Sequence, residues 1–95
     1  MIRHIVLFRV EDGTTTEQLR EAINRLEGLV GTLPGLRSLE AGIELGIEGN
    51  FDFGLVAELD DRAALETFST DPGHMEIAMD ILKFRKDIAI LDLEI

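Results

Sequence analysis

Residues Ile2 to Val10 alternate between two faces, Ile2/His4/Val6/Phe8/Val10 and Arg3/Ile5/Leu7/Arg9, and both faces carry apolar groups at their centres. That pattern predicts a β-strand covered on both sides. Glu11-Asp12-Gly13 reads as a turn, and Thr14 with Glu17 fits a capping box, in which side chains satisfy the free amides of a helix start. Leu19, Ala22, Ile23, Leu26, Leu29, Val30 and Leu33 then recur at helical spacing, with Glu17, Arg20, Glu21, Asn24 and Arg25 on the other side. Gly31 and Pro34-Gly35 are expected to end this helix.

Two strands, Leu36 to Leu45 and Phe51 to Leu59, flank the turn-forming Gly46-Ile47-Glu48-Gly49-Asn50 and predict an antiparallel hairpin. Asp60 or Asp61 caps a short helix through Ala64, Leu65 and Phe68, and Asp71-Pro72 restarts the chain as a second helix. Asp87 to Ile95 reads as a last strand with faces Ala89/Leu91/Leu93/Ile95 and Ile88/Ile90/Asp92/Glu94. The resulting order, β, α, β, β, a helix broken in two, β, is the split βαβ arrangement of the ferredoxin-like α+β folds. It predicts a four-stranded antiparallel sheet with helices on one face. The strands are apolar on both sides, so the face without helices is expected to be covered by a second copy, giving a homodimer through the sheet face.

A length of 95 residues fits one domain, taken here as 1–95, and leaves a monomer with modest burial, which self-association would increase. With 45% apolar and 29% charged residues, the composition is that of an ordinary globular chain. Nineteen acidic against nine basic residues give a net charge of −10, which repels nucleic acid and anionic membrane surfaces. No apolar run approaches the roughly 20 residues needed to cross a bilayer. Met1 leads straight into the first strand without the features of a signal peptide, so a cytoplasmic location is the expectation. The absence of Cys removes thiolate chemistry and cysteine-held metals, and the absence of Tyr removes phenol acids.

The groups that titrate near neutral pH are therefore His4, on the first strand, and His74, near the start of the last helix. The spacing 74, 77, 78, 81 puts His74 on an inward face with Ile77, Ala78 and Ile81. Burial and the positive end of a helix dipole both disfavour the imidazolium, which suits a general base, while Asp71 opposes this unless its oxygens cap backbone amides. The competing reading for either ring is a structural histidine bonded to a backbone carbonyl. Two isolated histidines do not make a metal site, and no cofactor is called for. Asp52 reads as an inward acid or as a polar residue opening its strand, Asp92 and Glu94 as reaching solvent or a dimer rim, and Met75 and Met79 as core packing.

The opening Ile2-Arg3-His4-Ile5-Val6-Leu7-Phe8, the central Leu33-Pro34-Gly35-Leu36, the strand Phe51-Asp52-Phe53-Gly54-Leu55-Val56 and Asp71-Pro72-Gly73-His74 together resemble the stress-responsive A/B barrel domain (Dabb) family, over nearly the whole chain. The resemblance implies a dimeric α+β barrel, two sheets packed together, with a pocket in each subunit between sheet and helices. Members of the family range from uncharacterised bacterial proteins and stress-induced plant proteins to a polyketide cyclase acting by aldol condensation, so the fold does not fix the reaction. By motif, His4 matches a strand histidine of that cyclase, and His74 its catalytic base, which removes a proton next to a carbonyl.

Two positions depart from the cyclase. Phe68 stands where it has a tyrosine hydroxyl, and Asp71 replaces the histidine that opens the family's His-Pro-x-His motif. Losing one donor to a developing oxyanion costs about 2–4 kcal/mol, so the cyclase mechanism is incomplete here unless Ser69 or Thr70 turns a hydroxyl inward. The resemblance leaves three readings open. One is a dimer that binds a small apolar carbonyl or aromatic compound beside His4, Phe68, His74, Ile77 and Ile81. Another is a cyclase-like or isomerase-like enzyme with His74 as base, and the last a non-enzymatic, stress-related structural or partner-binding domain.

Overall fold

Every second residue of the first strand is buried, Ile2, His4, Val6 and Phe8, and the residues between them turn to the other side of the sheet. The computed structural model describes residues 1–95 as β1 (Ile2–Val10), α1 (Thr16–Glu27), β2 (Leu36–Ile43), β3 (Phe53–Leu59), α2 (Arg62–Thr70), α3 (Pro72–Leu82) and β4 (Arg85–Glu94). The strands form one sheet in the order β2-β3-β1-β4, and all three pairings are antiparallel. This is the ferredoxin-like α+β architecture, with the two outer strands contributed by the second and the last β segments.

The alternation carries across the sheet because register is fixed by which face is buried. Val6 lies between Leu55 and Ile90, and Phe8 between Phe53 and Ile88. On this face Phe8 and Phe53 stack with ring centroids 4.4 Å apart. Leu19, Ala22, Ile23 and Leu26 of α1, Phe68 of α2, and Ile77 and Ile81 of α3 close over them, completing a cluster of 17 buried apolar residues. Leu7, Val56, Leu91 and Leu93 point the opposite way and are exposed.

Three local readings need correction. The capping box is formed by Thr15 and Gln18, one residue later than Thr14 and Glu17: the Gln18 amide donates to Thr15 Oγ1, and the Thr15 amide donates to Gln18 Oε1 at 2.8 Å. Thr14 instead turns its hydroxyl back to the Glu11 carbonyl. The helix also ends at Glu27, before Gly31. Gly28 caps it, the Glu27 carboxylate accepts the Ala41 amide, and two glycines within four residues weaken any continuation. Leu29 stays buried in the following turn, which is why the apolar periodicity outlasts the helix. Met75 and Met79 are exposed rather than in the core, because Ile77 and Ile81 take the inward face of α3.

Asp61 and Asp71 cap α2 and α3 by accepting the amides of Ala64 and His74, at 2.8 and 3.0 Å. Gly35 lets the β2 entrance run close beneath α2. Its φ is +84°, and a Cβ there would stand 2.6 Å from Cβ of Ala64. Asp52 acts as a polar residue at the strand entrance, its carboxylate accepting the Val10 amide at 2.7 Å. No helix is long and apolar enough to cross a membrane.

Candidate functional site

The break between α2 and α3 brings together side chains that a continuous helix would have separated. Phe68 lies in the last turn of α2 and His74 in the first turn of α3, and their ring centroids are 4.3 Å apart. His4, at the centre of β1, meets the same phenyl ring edge-on at 5.7 Å. Phe68 is therefore packed between two imidazoles and is 1% exposed.

Each imidazole has a different electrostatic setting. The β1–β4 register places His4 opposite Asp92, and His4 Nδ1 bonds to the Asp92 carboxylate. An ionised carboxylate only accepts, so Nδ1 carries the hydrogen, and in the neutral ring Nε2 is left with the lone pair. Asp92 is thus a partner of His4, not a residue directed only to solvent or a dimer rim. By contrast, Nδ1 of His74 is buried without a hydrogen-bond partner. Burial is the main cause that holds the His74 pKa below its ordinary 6.5, with the positive charge available on His4 adding to it. A hydrogen bond between the ring and the Ser69 backbone, and the Asp71 carboxylate, oppose this less strongly. Asp71 is occupied at the backbone, accepting the His74 amide.

A cavity of about 250 Å³ opens beside the two rings, between the sheet and the helices. His4, His74 and Ile81 line it, together with Ser69 and Arg85. Two expected lining residues do not. Phe68 backs the histidines from the core, and Ile77 faces the groove between α1 and α3 beside Arg25 and Asp80. Of the two hydroxyls considered as donors, Ser69 borders the cavity, whereas Thr70 donates to the Glu66 carbonyl. Sequence reading missed Asp92 as a partner of His4 and Arg85 as a lining residue. The first had a signal, since Asp92 shares a strand face with Ile88 and Ile90. The second had none, because Arg85 lies before the expected strand.

A larger and shallower hollow of about 670 Å³ occupies the opposite sheet face, beside Leu7, Ile43 and Val56. It contains neither histidine. No three His, Asp or Glu side chains cluster as a metal site would require.

A sheet of this order with two histidines beneath its helices places the protein among the ferredoxin-like α+β barrel proteins. The chain belongs to the stress responsive A/B barrel domain family, Dabb, whose model matches residues 2–95. Among solved structures, a dimeric ferredoxin-like protein of unknown function from Thermobifida fusca is 32% identical, with a TM-score of 0.90 over 99% of this chain and 90% of that one. A dimeric ferredoxin-like protein of unknown function from a Jannaschia species is 25% identical, with a TM-score of 0.86 over 99% and 98% of the two chains. The hydroxynitrile lyase of Passiflora edulis shares the fold at 21% identity, with a TM-score of 0.84 over 99% and 92%. The chain matches no curated protein.

Proposed function

We propose that this protein is a homodimer, formed through the open sheet face, that binds a small apolar carbonyl compound in the cavity between sheet and helices, with His74 as a general base. The observation that carries the reading is the buried, unpartnered Nδ1 of His74. Leaving such an atom unsatisfied costs roughly 1–3 kcal/mol and calls for an explanation, which a ligand or a reaction at the adjoining cavity supplies. A neutral ring in an apolar cavity holds a lone pair ready to accept a proton from carbon next to a carbonyl. Ser69 borders the same cavity, and its hydroxyl is the group we assign as donor to the developing oxyanion. The expected roles of Phe68 and Ile77 change accordingly: Phe68 holds the two imidazoles apart and in place, and Ile77 anchors α3.

Dimerisation is supported by the exposed Leu7, Val56, Leu91 and Leu93 on the helix-free face, and by the dimeric state of the Thermobifida and Jannaschia proteins. A second copy seated there would cover the larger hollow, leaving the histidine cavity for the ligand.

Proton abstraction is tested by following exchange of the α-hydrogens of acetophenone's methyl group and of 2-octanone in deuterium oxide by NMR. The wild-type protein is expected to accelerate exchange of at least one ketone, and His74→Leu to remove the acceleration. Equal exchange with the two proteins would rule out His74 as the base.

A further inference from the structure

Regular alternation along β4 would put Lys86, Ile88 and Ile90 on the helix side of the sheet and Arg85 on the other. The ladder instead skips Lys86: Arg9 pairs with Asp87, and Val10 with Arg85. Val10 packs partly buried against the core that holds Val6 and Phe8, so the bulge turns Arg85 to the helix side, where it lines the cavity. Re-aiming a side chain is a recurrent use of β-bulges.

Nothing in the chain occupies this guanidinium. The other half-buried arginines are engaged: Arg3 bonds Glu58 at 3.1 Å, Arg25 bonds Asp80 at 2.6 Å, and Arg9 lies over the Phe51 ring and reaches the Asn50 carbonyl. Arg85 is equally half-buried but has no ion pair and no side-chain hydrogen bond, in a chain with 19 acidic residues available to it. A guanidinium offers a planar fork of donors that matches a carboxylate, and an apolar wall beside it strengthens that recognition.

The position of Arg85 also sets the shape of what binds. Its strand partner, Val10, lies six residues along β1 from His4, about 20 Å at the usual rise per residue. The histidines and Arg85 thus mark opposite ends of the cavity, and Val6, Phe8, Leu55, Ile88 and Ile90 form the apolar wall between them. At about 250 Å³, the cavity falls below the roughly 300–1,000 Å³ of sites for drug-sized ligands, which favours a narrow molecule.

We propose that the cavity takes an elongated apolar carboxylic acid with a carbonyl near its far end, its carboxylate held by Arg85 and its carbonyl placed at His74 and His4. This inference rests on the ligand cavity proposed above and adds the charge of the ligand and its direction.

The test is calorimetric titration of the full chain near neutral pH with three probes of matched length, 7-oxooctanoate, 7-oxooctanamide and 2-octanone. The acid is expected to bind at least about tenfold more tightly than the amide, as a desolvated charge pair requires. Arg85→Gln should abolish that preference, and Arg85→Lys should keep part of it. Lys86→Gln, which changes the net charge equally, should keep all of it. If acid and amide bind wild type equally, or the preference survives in Arg85→Gln, the role of Arg85 is overturned while the cavity reading stands. If none of the three probes binds, both are overturned.

Discussion

Replacing His74 with leucine should stabilise the protein while removing its proposed chemistry. The unpartnered buried Nδ1 is a cost of about 1–3 kcal/mol that leucine does not carry. Against this stands the lost ring contact with Phe68, 4.3 Å away, for which about 0.5–1.5 kcal/mol is a fair allowance. The net gain is therefore about 1 kcal/mol at neutral pH, with the α3 cap untouched because Asp71 accepts a backbone amide. The gain should grow on acidification. Burial and His4 hold the His74 pKa below 6.5, so as pH falls the unfolded chain takes up this proton before the native one does. Wild-type stability is unaffected by this group above pH 6.5 and falls between there and the native pKa, whereas the leucine variant has no such loss. Urea unfolding followed by far-ultraviolet circular dichroism, at about pH 7.5 and about pH 5.5, measures both effects. A variant destabilised by about 1 kcal/mol or more at both values, with a constant gap, would show that the imidazole is a bonded structural group and not an unsatisfied one.

Asp92→Ala should cost less than about 1 kcal/mol, because the carboxylate is 40% exposed, yet it should change the ring-nitrogen NMR signals of His4 by removing the acceptor that fixes the Nδ1–H tautomer. Unchanged His4 signals would contradict the assigned tautomer. Gly35→Ala should cost about 2 kcal/mol or more in urea unfolding, since left-handed backbone is costly for alanine and the new methyl meets Ala64. A cost below about 0.5 kcal/mol would mean that α2 moves aside freely. Val56→Asp places a charge at the centre of the open sheet face and should convert a dimer to a folded monomer in sedimentation velocity; a persistent dimer would place the interface elsewhere.

The sequence disclosed the fold through its burial pattern. Alternation in β1 identified a strand with two apolar sides, and the register observed across β3 and β4 keeps Val6 and Phe8 among residues of the same kind. Boundaries were less readable where packing outlasts local structure: Leu29 continues the helical stripe although the backbone has already turned at Gly28. The capping box was ambiguous because Thr14, Thr15, Glu17 and Gln18 offer two overlapping solutions, and only the placement of the first turn selects Thr15. Both histidines were visible as candidates. Their relation was not, since the pairing of His4 with Asp92 depends on a ladder 88 residues apart in sequence, and the turn at Asp71 sets how Phe68 meets His74. Arg85 was hidden by a bulge, a change of parity that no residue in β4 announces.

Whether His74 is a neutral imidazole available to a ligand is read from nitrogen-15 NMR of the labelled histidine rings from about pH 5 to pH 9. His74, assigned by its absence in His74→Leu, is expected to stay neutral below pH 6.5, and its signals to move when 2-octanone or 7-oxooctanoate is added. A His74 ring that takes up its proton at pH 6.5 or above, and is indifferent to both compounds, would contradict this expectation.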